Sequence, residues 1–315
     1  MIPTRTTLPL TVIGLAGVCA LQPALATETG VDNIGTGTDG FFVLPLSPDS
    51  LPDNMVAFNL YYNHYKATKL NISSLGGKVP NVEIESTAVI PRLDYLSPVR
   101  VFGGRLAGYI AQPWLKQEVS VFGLPQDTRE GMGDTTFAPI ILWDMGPNLT
   151  LGAAIEITVP TGEYSVDRLA NTSNNFYTYK PLFSFTWLPT DRTEVSMKTT
   201  YSFNEKNKDT DYKSGQIFHF DYSASFKITD DLMLGLNGYY LKQTTDDKQF
   251  GHTVQFNGQD VNDGVRGQVF AIGPALHWTF LKYASAEIRW AKEFDVENRP
   301  EGEMLWAKVS IPYAF

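Results

Sequence analysis

From residue 55 onward, hydrophobic and polar positions alternate with a period of two, and twelve alternating segments are read along the chain. In the first, Val56, Phe58, Leu60 and Tyr62 alternate with Asn59, Tyr61 and Asn63. The same pattern places Leu149, Leu151, Ala153, Ile155, Ile157 and Val159 on one face, with Thr150, Gly152, Ala154, Glu156 and Thr158 on the other. Val195 to Phe203, Phe218 to Ile228 and Phe270 to Phe280 repeat it. A globular strand typically has about 5–6 residues, whereas a tilted membrane strand needs about 9–11, and these runs match the longer figure. The second, third and ninth segments alternate less cleanly, which leaves the registers around residues 81–114 and 232–244 open.

Connection lengths sharpen the expectation. Short turns are expected near Leu96–Val101, Asp144–Asn148, Leu188–Arg192, Thr229–Asp231 and Leu281–Tyr283. Long loops are expected near Lys66–Pro80, Leu115–Glu130, Glu163–Asn175, Asn204–Gly215, Thr244–Gly267 and Asp295–Gly302. Short turns on one side and long loops on the other mark a transmembrane antiparallel β-barrel, with the turns periplasmic. Trp143, Trp187 and Trp278 each fall beside a short turn on the apolar face, where indole rings favour the headgroup level. Pro139, Pro181 and Pro274 fall inside segments; since proline cannot donate to a ladder, bulges or bends are expected there.

Composition changes the picture in three ways. The 13% aromatic content suits the girdles of a barrel, while 43% apolar residues would look soluble because only alternate residues meet lipid. The net charge of −9 argues against nucleic acid as a partner. Residues 1–26 read as a signal peptide: Arg5, then an apolar stretch from Leu8 to Leu21, then Ala24-Leu-Ala26 as cleavage site. Cys19, the one cysteine, lies inside it, so neither a disulfide nor a cysteine metal site is expected in the remainder. Residues 27–54 form a periplasmic N-terminal segment or a small plug, and 55–315 the barrel. Phe41 and Phe42 are the plug candidates, because two adjacent Phe side chains are costly to leave in water.

The final run, Met304 to Phe315, places Leu305, Ala307, Val309, Ile311, Tyr313 and Phe315 on one face. It resembles the closing strand of bacterial outer-membrane barrels, which implies recognition by the barrel-insertion machinery and contact with outer-membrane lipid and lipopolysaccharide. Gly131-Met-Gly133-Asp134-Thr-Thr-Phe-Ala-Pro139, Val159-Pro-Thr161-Gly162-Glu-Tyr164, Gln243-Thr-Thr-Asp-Asp247 and Ile311-Pro-Tyr-Ala-Phe315 resemble, in order and spacing, the outer-membrane proteins of the meta-pathway phenol-degradation family. That family is distantly similar to long-chain fatty-acid transporter barrels. The resemblance implies a channel admitting small hydrophobic or aromatic solutes. With the turn at Asp144–Asn148 setting the register, Asp134 is expected opposite Thr158 and Gly131 near Thr161 and Gly162. These glycines either start and stop strands or shape the mouth of the barrel.

Inward positions carry Asp134, Glu156, Lys180, Glu194, Lys198, Asp221, Arg289 and Lys308 as lumen candidates, with Glu194 expected beside Lys180, and Glu287 and Arg289 beside Lys308, so that opposite charges pair across the ladder. They form either a satisfied polar interior or a selectivity ring. The acidic clusters at 209/211, 246/247 and 260/263 are read as solvated outer loops, and no metal or cofactor is expected. Catalysis is not expected. An outer-membrane phospholipase would need Ser, His and Asn together, and His219 with Ser223 and Ser225 is the nearest candidate. Two channel readings remain: passive uptake of hydrophobic or aromatic compounds, or a polar channel for nucleosides or oligosaccharides.

Overall fold

The computed structural model describes residues 35–72, 77–79, 81–121, 124–256, 259–260, 265–281 and 284–314. The expected signal segment 1–26, the closing Phe315 and residues 261–264 of the acidic loop lie outside the described residues.

Twelve antiparallel strands close into a barrel. They are β1 (Met55–Ile72), β2 (Glu83–Val101), β3 in two pieces (Gly104–Ala111 and Trp114–Ser120), β4 in two pieces (Asp127–Met132 and Thr135–Asp144), β5 (Leu149–Val159) and β6 (Thr178–Thr190). β7 (Thr193–Asn204), β8 (Ile217–Lys227), β9 (Leu232–Gln243), β10 (Gln268–Thr279), β11 (Ser285–Glu297) and β12 (Pro300–Ala314) complete them. β1 pairs with β2 and with β12, so the ring has no free edge.

Period-two alternation decides which way each side chain points. Glu194, Ser196, Thr200 and Ser202 of β7 and His219, Asp221, Ser223 and Ser225 of β8 are buried inside. Phe58, Leu60, Leu93, Ile110, Ile155, Phe183, Leu236, Ile288 and Val309 are exposed outside. A continuous apolar belt of this kind is unfavourable in water, while a closed ladder satisfies its backbone without water, so the belt faces a bilayer. Trp187 and Trp278 are exposed beside short turns, and Trp143 donates its indole N–H to Phe102 O.

The short connections are Phe102–Gly103 and residues 145–148, 191–192, 228–231 and 280–284. Phe102 and Gly103 both have positive φ, the conformation of a tight type I′ hairpin. At the opposite end three expectations change. β1 and β2 extend to Ile72 and from Glu83, and Leu115 to Ser120 is strand, because the ladders continue past the belt. The expected long loop Asp295–Gly302 is a two-residue turn at Asn298 and Arg299. Asn298 has φ +48°, which lets β11 turn straight into β12.

The prolines produce no bulge. Pro139 pairs with Gly108, Pro181 with Ile155 and Pro274 with Leu236, all in unshifted register. Each instead leaves missing rungs on its other side: no partners are recorded between Phe137 and Ile140, between Thr200 and Phe203, or between Ile272 and Ala275. At Pro274 the gap is filled from inside. Asn237 Nδ2 donates to Gly273 O, Pro274 O and Trp290 O at 3.1–3.2 Å, replacing the absent proline N–H as donor.

Candidate functional site

Residues 35–54 run through the barrel interior, where their backbone groups meet inward side chains instead of a strand partner. Gly37 and Asp39 donate their N–H groups to the Asp221 carboxylate at 2.7 and 3.1 Å. Phe42 N–H donates to Glu194 at 2.9 Å, Val43 N–H to Ser196 Oγ and Leu44 N–H to Thr186 Oγ1. Two buried arginines hold the two ends. Arg289 donates to Gly37 O and Thr38 O, both at 2.7 Å, and a Cβ at Gly40 would come within 2.6 Å of its side chain. Arg105 donates to Pro48 O, Leu51 O, Pro52 O and Asp53. Phe41 is fully buried, and both Phe41 and Phe42 pack on the His277 ring, with centroids 5.6 and 5.4 Å away.

A chain of charges joins this segment to the opposite wall. Lys198 bridges Asp39 at 2.9 Å and Glu156 at 3.0 Å. Glu156 also pairs with Lys180, its direct ladder partner, and accepts from Tyr109 OH. The Arg92 guanidinium lies 3.7 Å above the Tyr109 ring centroid. Its edge donates to Asp94 through Nε at 3.0 Å, and Asn59 donates to the same carboxylate. Arg92, Asp94, Tyr109 and Arg105 were absent from the sequence-level candidates, since they lie where the alternation is soft. The Arg-x-Asp spacing, which puts both residues on one strand face, was the available signal.

The segment divides the lumen. On its long-loop side a cavity of about 180 Å³ is lined by Tyr61, Tyr65, Tyr109, Trp306, Ile90 and the paired charges of Glu156, Lys180 and Lys198, among others. On its short-turn side a vestibule of about 550 Å³ is lined by Phe41, Leu44, Leu96, Leu142, Asp94 and Lys308, among others. Tyr61 and Arg92 line both.

The remaining candidates divide between the two walls. Lys308 reaches Glu287 at 3.3 Å, and Arg289 lies 3.3 Å from the same carboxylate. Glu194 does not meet Lys180: the β6–β7 register places Tyr179 opposite Phe203, so Lys180 sits near the loop end while Glu194 sits near the turn end. Glu194 accepts instead from Ser196, Ser225 and the segment. His219 has Thr200 Oγ1 at 3.3 Å and Asp221 at 2.9 Å; no contact with Ser223 or Ser225 is recorded among the described residues.

Gly131, Gly133 and Asp134 sit at the break in β4. The register puts Thr136 rather than Asp134 opposite Thr158, two residues from the expectation. Asp134 accepts from Gly162 N–H and Asn174 N–H, and Thr161 Oγ1 donates to Gly133 O. Gly131 pairs with Leu115. A Cβ at Gly162 would come within 2.9 Å of Met132 O, so glycine permits the close approach. The two motifs thereby lash residues 160–177 against the broken strand.

Asp247 is not solvated. It is 2% exposed and accepts from Tyr212 OH, Gly215 N–H and Gln243 Nε2. Burial, with Asp246 adjacent, pushes its carboxyl up to about 6. Asp246 itself pairs with Arg266 at 2.8 Å.

Among solved structures, the COG4313 outer membrane channel from Pseudomonas putida F1 is similar with TM-score 0.74 at 16% identity, over 86% of this chain and 99% of that one. The transport unit of the autotransporter AIDA-I from Escherichia coli is similar with TM-score 0.52 at 9% identity, over 95% and 98%. At such identities the likeness is one of fold. Together with the closed ladder and apolar belt, it locates the chain in the bacterial outer membrane. No curated protein sequence matches. The family described as "Putative MetA-pathway of phenol degradation" matches residues 68–309, and the chain belongs to that family.

Proposed function

We propose that the protein is a passive channel for small hydrophobic or aromatic compounds, with residues 35–54 as a plug that narrows the lumen. The observation that carries this reading is the pair of cavities on either side of the segment. Their walls combine aromatic and aliphatic surface with charges that are already paired. A paired charge presents little net field, so the cluster of Glu156, Lys180 and Lys198 does not hold back a neutral solute. Such walls offer aromatic rings good contact. The solved COG4313 relative is described as an outer membrane channel, which supports the reading.

Liposome swelling with the full-length protein, over a panel of aromatic amino acids, nucleosides and disaccharides, tests it. Aromatic solutes are expected to enter fastest. Faster entry of nucleosides or disaccharides would replace this reading with that of a polar channel.

A further inference from the structure

We propose that Arg92 is the specificity-determining gate between the two cavities, and that an aromatic ring passes by taking the place of Tyr109 against its guanidinium. The inference rests on the channel reading above and names the residue that gives it selectivity.

Tyr61 and Arg92 line both cavities, so a solute moving from one to the other passes them. Arg92 is held by its edge. Nε lies 3.0 and 3.1 Å from the two Asp94 oxygens, NH2 reaches the same carboxylate, and NH1 lies 3.5 Å from Tyr61 OH. Hydrogen bonds to a guanidinium lie in its plane, which leaves the faces free to stack. One face rests on Tyr109 at 3.7 Å. Asp94 neutralises the charge locally, so the gate does not act as an ion filter.

Both partners are anchored, Arg92 by Asp94 and Tyr61, and Tyr109 by the hydroxyl it donates to Glu156, which Lys180 and Lys198 also engage. Opening therefore parts the guanidinium face from the Tyr109 ring without releasing either anchor. A ring arriving from the outer cavity exchanges one cation–π partner for another. An alkyl solute of similar size breaks the contact and returns nothing, so it is slowed by the cost of that contact, roughly three- to fivefold.

The test uses full-length protein in liposomes, with swelling measured in phenylalanine, leucine and glycine. All three are zwitterionic, so the side chain is the variable. Wild type is expected to admit phenylalanine faster than leucine although it is larger. Arg92→Met, which keeps an unbranched apolar stem, is expected to admit both faster and to lose the preference. Arg92→Lys keeps the charge without the planar face and is expected to lose most of the preference. Tyr109→Leu removes the competing ring and is expected to increase it.

Heat-modifiable mobility reports folding of each variant; should Arg92→Met not fold, the other two variants decide the matter. A wild type that admits leucine as fast as phenylalanine overturns the gate and leaves the channel. So does an unchanged preference in Arg92→Met and Arg92→Lys. Entry of no solute, glycine included, overturns the channel reading and the gate with it.

Discussion

The two sides of the lumen are built on different scales. Between the inward charges of Lys180, Glu194, Lys198 and Asp221, β6, β7 and β8 carry a run of small hydroxylated residues: Ser184, Thr186, Ser196, Thr200, Ser202, Ser223 and Ser225 are all buried. On β1, β2 and β3 they include Tyr61, Tyr65, Arg92, Arg105 and Tyr109. Residues 37–44 lie against the small side, Arg105 holds Pro48 to Asp53 from the large side, and the cavities open towards the large side. A segment with no strand partner must find acceptors for its N–H groups. Short side chains let its backbone come close enough for hydroxyls and carboxylates to supply them. Long aromatic side chains prop the other wall away and leave space between their rings.

The largest test of this contrast is removal of the segment. Deleting residues 27–46 spares the carbonyls of Pro48, Leu51 and Pro52 that hold Arg105. The barrel is expected to stay heat-modifiable while single-channel conductance rises several-fold. Unchanged conductance, with the segment protease-sensitive in the intact protein, would remove the plug from the account.

Adding bulk to each wall in turn should have opposite effects. Ser184 lies beside Gly152, where even a Cβ would meet Leu44 at 2.9 Å. Ser184→Phe is expected to push the segment off at a cost of about 1–3 kcal/mol, seen as raised conductance and new proteolysis near Leu44. Ala88→Phe, which fills the outer cavity, is expected to lower conductance and leave proteolysis unchanged.

Asp221→Asn is subtler. It replaces a carboxylate that accepts from both Gly37 and Asp39 with a group having one acceptor oxygen. Docking should weaken by about 1 kcal/mol, visible as more frequent brief openings in bilayer recordings.

The smallest effect concerns the loops over the small-residue side. The Asp247 carboxyl is raised to about 6 in the fold, above the ordinary value of 3.8, so the folded loop binds its proton more tightly than the unfolded loop does. Its contribution to stability is full below the unfolded value and is lost as pH rises through about 6. Amide exchange around Tyr212 and Gly215 is expected to be slower at pH 5 than at pH 7.5 after correction for intrinsic rates. Asp247→Asn should remove the difference.

Much of the barrel was legible because membrane strands are long and their alternation is nearly independent of neighbours. Glu156 and Asp221 are buried inside and Lys198 reaches Asp39 and Glu156 there, as the period of two requires of them. Connection lengths were less legible, since a ladder that continues past the bilayer leaves no mark in hydropathy; hence the misjudged turn at Asn298. The bulge expected at Pro274 is absent, where a remote donor, Asn237 on the neighbouring strand, serves the freed carbonyls. Arg92 and Tyr109 escaped notice for a similar reason. Their meeting depends on how β2 and β3 align, and β3 is interrupted at Gln112 and Pro113, where Gln112 Nε2 reaches across to Gly133 O.

The docked segment also has a place in time. Its contacts span 184 residues to Asp221, 252 to Arg289 and 270 to Trp306. These three groups belong to the last third of the chain, and with Thr186, Glu194 and Ser196 they come together only when the strands that carry them have assembled. What stands early in synthesis is therefore settled late in biogenesis. Protection of Gly37 to Leu44 from protease becomes a clock hand, marking molecules whose assembly is complete.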